Sequence, residues 1–177
     1  MPSIITEGAM SAQGYGFGRK AGGAVGTVGI FALGITGTAS TTRNKYTFAT
    51  CTSTSAASAS AASYNGSAAG NSTRGIFALG YVCGVGRSTT RNKYTYACCT
   101  STASVGAASA ASCGGSAAGN STRGIFALGD VFCVGRSTTR NKYTYACCSS
   151  TASGVGAASC GSCRGSAASN GTCGVNV

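Results

Sequence analysis

Histidine and tryptophan are absent, proline occurs once, and the only acidic residues are Glu7 and Asp130. The chain therefore lacks nearly every side chain that serves as a general acid or base near neutral pH. A cysteine nucleophile would have only Lys or Arg beside it to draw off its proton. The expectation is a protein that is not an enzyme and carries no cofactor. Large apolar side chains are also scarce. The hydrophobic fraction of 43% leans on Ala, and the bulky residues fall in short clusters repeated along the chain. One cluster is too small to make a core, so burial has to come from stacking similar units or from other subunits. Long hydrophobic runs are missing too. Residues 21–42 are uncharged, but their apolar centre GIFALG recurs twice between charged residues, which excludes a transmembrane segment there. The opening MPSIITEGAMSAQG has no basic region followed by an apolar one, so no export signal is expected.

What is present is basic charge, glycine and sulfur. Lys and Arg number 13, giving a net charge of +11. That sign favours an anionic partner such as envelope polysaccharide, lipid headgroups, nucleic acid or acidic protein. It equally suits a solvated face that keeps a small-residue protein in solution. Cysteines number 11, far above ordinary usage, which points to an oxidising destination.

Three motifs recur in fixed order. GIFALG begins at Gly29, Gly75 and Gly124; STTRNKYT begins at Ser40, Ser88 and Ser137; GSAAGN begins at Gly66 and Gly115 and returns as GSAASN at Gly165. A period of about 49 residues makes each unit one structural module with small insertions in its loops. Residues 1–28 form an N-terminal attachment segment, and 29–177 form the repeat region.

GIFALG, an apolar run bounded by Gly, predicts a strand buried on both faces. TRNKYTYA alternates: Arg91 and Lys93 point one way, Asn92, Tyr94 and Tyr96 the other. The same split holds for Arg43 and Lys45 against Tyr46 and Phe48, and for Arg140 and Lys142 against Tyr143 and Tyr145. One face of the strand is basic and the other aromatic. VGAASAASC reads as a further strand, and GSAAGNSTR as the turn that closes the unit.

In series, KYTYA, the small-residue stretch, GSAAGNSTR and GIFALG resemble the kelch-like β-propeller repeats of bacteriophage tail proteins and of related cyanobacterial proteins. The resemblance covers about residues 28 to 172. It implies an all-β fold of about three tandem repeats, each a blade-like antiparallel sheet. Propellers close with about 4–8 blades, so the expectation is either a propeller-like unit or one completed by oligomerisation.

The cysteines fall at equivalent positions. Cys51, Cys99 and Cys148 align; Cys98 and Cys147 match Thr50; Cys113 and Cys163 match Tyr64; Cys83 and Cys133 each follow GIFALG. Such recurrence predicts disulfides stapling one repeat to the next. Because 11 is odd, at least one Cys is free or bonded elsewhere. Cys160, Cys163 and Cys173 in the atypical last unit are candidates for an intermolecular bond, with a buried free thiol as the alternative. Cys160-Gly-Ser-Cys163 lacks the strand-to-helix setting of a redox pair. The vicinal cysteines lack zinc-site spacing, and no metal is expected.

The function expected from the resemblance is a virion structural protein: a tail fibre or baseplate-peripheral adhesin, located in the virion tail or outside the cell, that contacts host envelope polysaccharide. Arg43, Lys45, Arg91, Lys93, Arg140 and Lys142 are the receptor-contact candidates. Tyr46, Tyr94 and Tyr143 would join them if exposed, but a unit with so few large residues needs them inside. The expected partners are further copies of the chain and other tail or baseplate proteins, the latter through an intermolecular disulfide. Two readings stand beside this one. A secreted cyanobacterial-type surface scaffold fits the same repeats. A single-stranded nucleic-acid-binding protein fits the interleaved basic and aromatic residues, but their opposite faces count against it, and no nucleic acid is expected.

Overall fold

The computed structural model describes residues 10–12, 15–17, 27–32, 34–103, 105–147, 149–151, 155–169 and 174–176. Among them every regular element is a β-strand, in several small antiparallel sheets, and no ring of sheets closes. No helix there is long and apolar enough to cross a membrane. Within residues 1–28, Met10–Ala12 pairs with Tyr15–Phe17 as a short hairpin; residues 1–9, 13–14 and 18–26 lie outside the described residues.

Two units each build a four-stranded sheet. In one, a small-residue strand Ser67–Gly70 pairs with the apolar strand Arg74–Ala78, then with the basic strand Arg91–Thr95 and an outer strand Thr100–Thr102. In the next, Ser116–Gly119, Arg123–Ala127, Arg140–Thr144 and Ser149–Thr151 take the same places. The first sheet has three strands, Val28–Ala32, Arg43–Thr47 and Thr52–Ala56. The register recurs unchanged: Ile30 opposes Lys45, Ile76 opposes Lys93, and Ile125 opposes Lys142.

Side chains alternate between the faces of a strand, and cross-strand neighbours share a face. One face of each sheet therefore carries Arg and Lys with Ile and Ala, and the other Asn and Tyr with Phe and Gly. The alternation expected from sequence holds, but in the first two sheets the basic face is largely covered, with Arg43 and Arg91 buried. It packs on the aromatic face of the next sheet. Ile30 of the first sheet lies in one buried cluster with Ala68, Phe77 and Tyr94 of the second. Ala69 and Ile76 of the second lie with Phe126, Tyr143 and Tyr145 of the third. The bulky clusters, too small alone, are completed by the neighbouring unit.

Two segments behave differently from their expected roles. GSAAG supplies a strand, because Gly and Ala allow it to lie close against its neighbours. A Cβ on Gly119 would stand 2.6 Å from the Tyr145 hydroxyl, and one on Gly124 would stand 2.9 Å from it. The turn comes later, at Asn71 and Asn120, whose side-chain oxygens each accept bonds from the backbone two and three residues on. VGAASAASC is mostly a crossing loop, and only Ser112–Cys113 is strand. Its Ser/Ala composition has no large side chain to anchor a ladder.

Between the apolar and basic strands each unit inserts a small hairpin: Ile35–Thr36 with Thr38–Ala39, Tyr81–Val82 with Gly86–Arg87, and Asp130–Val131 with Gly135–Arg136. The second and third each gain a strand from the preceding crossing loop, Ser63–Tyr64 and Ser112–Cys113.

Candidate adhesive surface

The recurring Arg-Asn pair locks one sheet to the next. Arg43, 1% exposed, donates from Nη2 to Asn92 Oδ1 at 3.0 Å and from Nη1 to Ser101 Oγ at 2.8 Å. Its guanidinium lies 4.6 Å over the Phe77 ring. Arg91, fully buried, repeats this one unit on: Nη2 donates to Asn141 Oδ1 at 3.1 Å, Nη1 to the Gly106 carbonyl at 3.0 Å, and the group sits 4.7 Å over Phe126. The Asn acceptors are held in turn. Asn92 Oδ1 also accepts from Ser60 N and its Nδ2 donates to Ser60 Oγ, both at 2.9 Å; Asn141 makes the same pair with Ser109. Burial pulls the Arg91 pKa down to about 10. The ring face and carbonyl acceptors compensate, and the group stays charged at neutral pH.

Two of the six expected contact residues thus lie in the interior. Arg43 and Arg91 are interior structural cations, because the basic face of their strands is covered by the following sheet. Arg140 is half-buried and donates to the carbonyls of Gly156 and Ala157, both at 3.2 Å. Lys45, Lys93 and Lys142 remain partly exposed, and Lys45 Nζ lies 3.7 Å from Cys99 Sγ of the next unit.

The disulfide expectation is corrected as well. Cys51, Cys83, Cys98, Cys99, Cys113, Cys133, Cys160 and Cys163 are free thiols, and Cys147 Sγ lies 4.0 Å from the Thr144 carbonyl; Cys148 and Cys173 lie outside the described residues. The equivalent positions recur because they share a turn. Cys51 and Cys99 adopt left-handed backbone (φ 54° and 53°). Their thiols donate within that turn, to the carbonyls of Phe48 at 3.8 Å and Tyr96 at 3.6 Å. Both cysteines are exposed. The Thr100 hydroxyl, 2.9 Å from Cys98 Sγ, holds that thiol below the ordinary cysteine range.

The hairpins, which sequence reasoning missed, hold the prominent exposed groups. Val85 is 78% exposed, Val134 73%, Phe132 61% and Ile35 56%, each at or beside a hairpin tip. The tips of the second and third hairpins close with Val85 N donating to the Val82 carbonyl and Val134 N to that of Val131, both at 3.2 Å. Gly84 (φ 76°) and Cys133 (φ 62°) supply the left-handed turn residue. The signal was present as G-x-V-x-x-V-G-R in GYVCGVGR and GDVFCVGR, apolar residues flanking a turn between glycines.

The hairpin bases are tied across units. Arg87 pairs with Asp130, the one side-chain carboxylate among the described residues. Gly114 N donates to the Asn65 carbonyl at 2.8 Å, and Arg164 N donates to that of Gly114. Because each hairpin leaves its sheet at the same point and the sheets stack in one register, the tips emerge along one edge. Arg136, opposite Asp130 in the third hairpin, and Arg164, whose backbone bonds the Gly114 carbonyl at the hairpin base, are both exposed. Compared with known proteins, the chain matches no protein-family model and no curated protein.

Proposed function

We propose that this chain is a virion structural protein, a tail-fibre or baseplate-peripheral adhesin that meets the host cell envelope. The observation that carries the reading is a division of labour within each repeat. The residues that recur unchanged, Arg-Asn-Lys-Tyr-Thr and Gly-Asn-Ser-Thr-Arg-Gly, are largely consumed in holding sheet to sheet and closing turns. The hairpin tips differ from unit to unit and expose large apolar side chains beside free cations. A rigid repeat scaffold presenting variable tips is the arrangement expected of a contact surface. The stacked four-stranded sheets suit kelch-like blades, and further copies of the chain would extend or close the stack. Burial of Arg43 and Arg91 removes two of the cations that a nucleic-acid reading would need on the surface.

The test is binding of the purified, reduced chain to intact bacterial cells, with antibody labelling of phage particles alongside. Saturable cell binding and labelling at the tail are expected. A chain that binds no cell envelope and labels no particle removes the reading.

A further inference from the structure

We infer that the aligned hairpin tips are a lipid-inserting edge that docks on an anionic phospholipid bilayer. This rests on the adhesive reading and names the partner of the same surface.

Ile35, Val85, Phe132 and Val134 are the most exposed large apolar side chains among the described residues, and all belong to hairpins. They are carried on turns braced by backbone bonds: Cys83 N to the Ala62 carbonyl and Phe132 N to that of Ala111, both at 2.9 Å. The tips therefore project from a fixed base. A protein partner would need one continuous apolar patch of matching shape, whereas these side chains stand on three separate projections, one per repeat. A bilayer has no fixed relief and closes around each projection independently, removing its apolar surface from water.

The surrounding charge selects the lipid. Arg136 on the third hairpin and Arg164 at its base are exposed, and the described carboxylate, Asp130, is neutralised by Arg87. With a net charge of +11 behind it, the edge carries no unpaired acid among the described residues. Each cation held near an anionic bilayer adds to the attraction within a screening length. The tips supply insertion and the arginines supply the preference for anionic headgroups.

The test uses the whole chain in reductant with phosphatidylcholine vesicles, with and without phosphatidylglycerol. Co-sedimentation with the phosphatidylglycerol vesicles is expected. Replacing Val85, Phe132 and Val134 together by Ser should weaken it at least about a hundredfold, since three inserted side chains are lost. These positions touch little of the protein, so an unchanged urea midpoint verifies the fold. The chain has no tryptophan, which makes Phe132→Trp a single reporter. Its emission should shift to the blue on vesicles and be quenched by brominated acyl chains, while Phe48→Trp in a turn between strands should not respond.

Absence of vesicle binding, a triple variant that binds as well as the parent, or a reporter at position 132 that stays open to aqueous iodide overturns the inference. Cell binding that persists without vesicle binding would leave the adhesive reading standing and assign the contact to polysaccharide or protein.

Discussion

Asn92→Ala should be among the most damaging single truncations of a polar side chain in this protein. Asn92 is fully buried and makes three bonds: it accepts from Arg43 Nη2 and Ser60 N, and donates to Ser60 Oγ. A neutral buried bond contributes about 1 kcal/mol and one to a charged group about 1.5–3 kcal/mol, so the loss comes to about 3–5 kcal/mol. Most of it arises because the Arg43 guanidinium stays buried with its Asn acceptor gone. Arg43→Met removes the charge itself, fills much of the same volume, and leaves Asn92 Oδ1 bonded to Ser60 N. It forfeits the contact with Phe77 and the bond to Ser101 Oγ, about 2–3 kcal/mol together, and relieves a desolvation cost that offsets part of this. The expected loss is at most about 2 kcal/mol.

The two changes should therefore couple: in the Asn92→Ala background, Arg43→Met should recover about 1 kcal/mol rather than cost more. Urea unfolding of the four proteins in reductant, followed by far-ultraviolet circular dichroism, measures all three quantities. If Asn92→Ala costs under about 1 kcal/mol, or if the double variant loses the sum of the singles, the Arg-Asn lock is not what joins the sheets.

Stability should fall at high pH. The buried hydroxyls of Tyr94 and Tyr96 are pushed up to about 12, chiefly by burial, and burial raises Tyr145 further. The folded chain keeps protons that the unfolded chain releases near pH 10, so stability is intact below about pH 10 and is lost between about pH 10 and pH 12. Arg91, with its pKa lowered, acts with the opposite sign, but one group against three leaves the direction unchanged. Urea midpoints against pH, with tyrosinate absorbance as the proton count, check this. Cys98 should be carbamidomethylated faster than Cys83, and Thr100→Val should remove the advantage, read by peptide mass spectrometry on the reduced protein. Gly129→Ala should cost at least about 2 kcal/mol in urea unfolding, because its φ is 76° and a Cβ would stand 2.6 Å from the Cys113 carbonyl. Gly135→Ala, left-handed but facing open space, should cost only about 1 kcal/mol.

Strand alternation was readable from Arg-Asn-Lys-Tyr-Thr alone, and so was the unit length, because both depend on local chemistry that repeats. Which face meets water was not readable. A strand with Arg and Lys on one side looks half-solvated, and only the arrival of Phe77 and Asn92 from the next unit makes Arg43 interior. The cysteines misled for a related reason. Positions that recur in a repeat suggest bonding partners, but Cys51 and Cys99 recur because each closes the same left-handed turn. The hairpins were hidden by length, since strands of two residues carry too little periodicity to register, and their glycine-flanked valines were the usable sign.

Near-identical repeats face a problem that the Arg-Asn lock cannot solve. Every basic strand offers the same donor and every following sheet the same acceptor, so the lock fixes how two sheets meet without fixing which two. The hairpins supply the missing discrimination. At the first junction Tyr64 pairs with Tyr81, their rings 5.1 Å apart. At the second the equivalent places hold Cys113 and Asp130, and Asp130 takes Arg87 from the unit before. Exchanging the second and third units would set Asp130 beside Tyr64 and leave Arg87 without its carboxylate. The alternative order is thus penalised by a lost ion pair and a broken ring contact, both among partly exposed groups whose loss costs little in total stability. Specificity placed at the rim in this way leaves the core free to repeat.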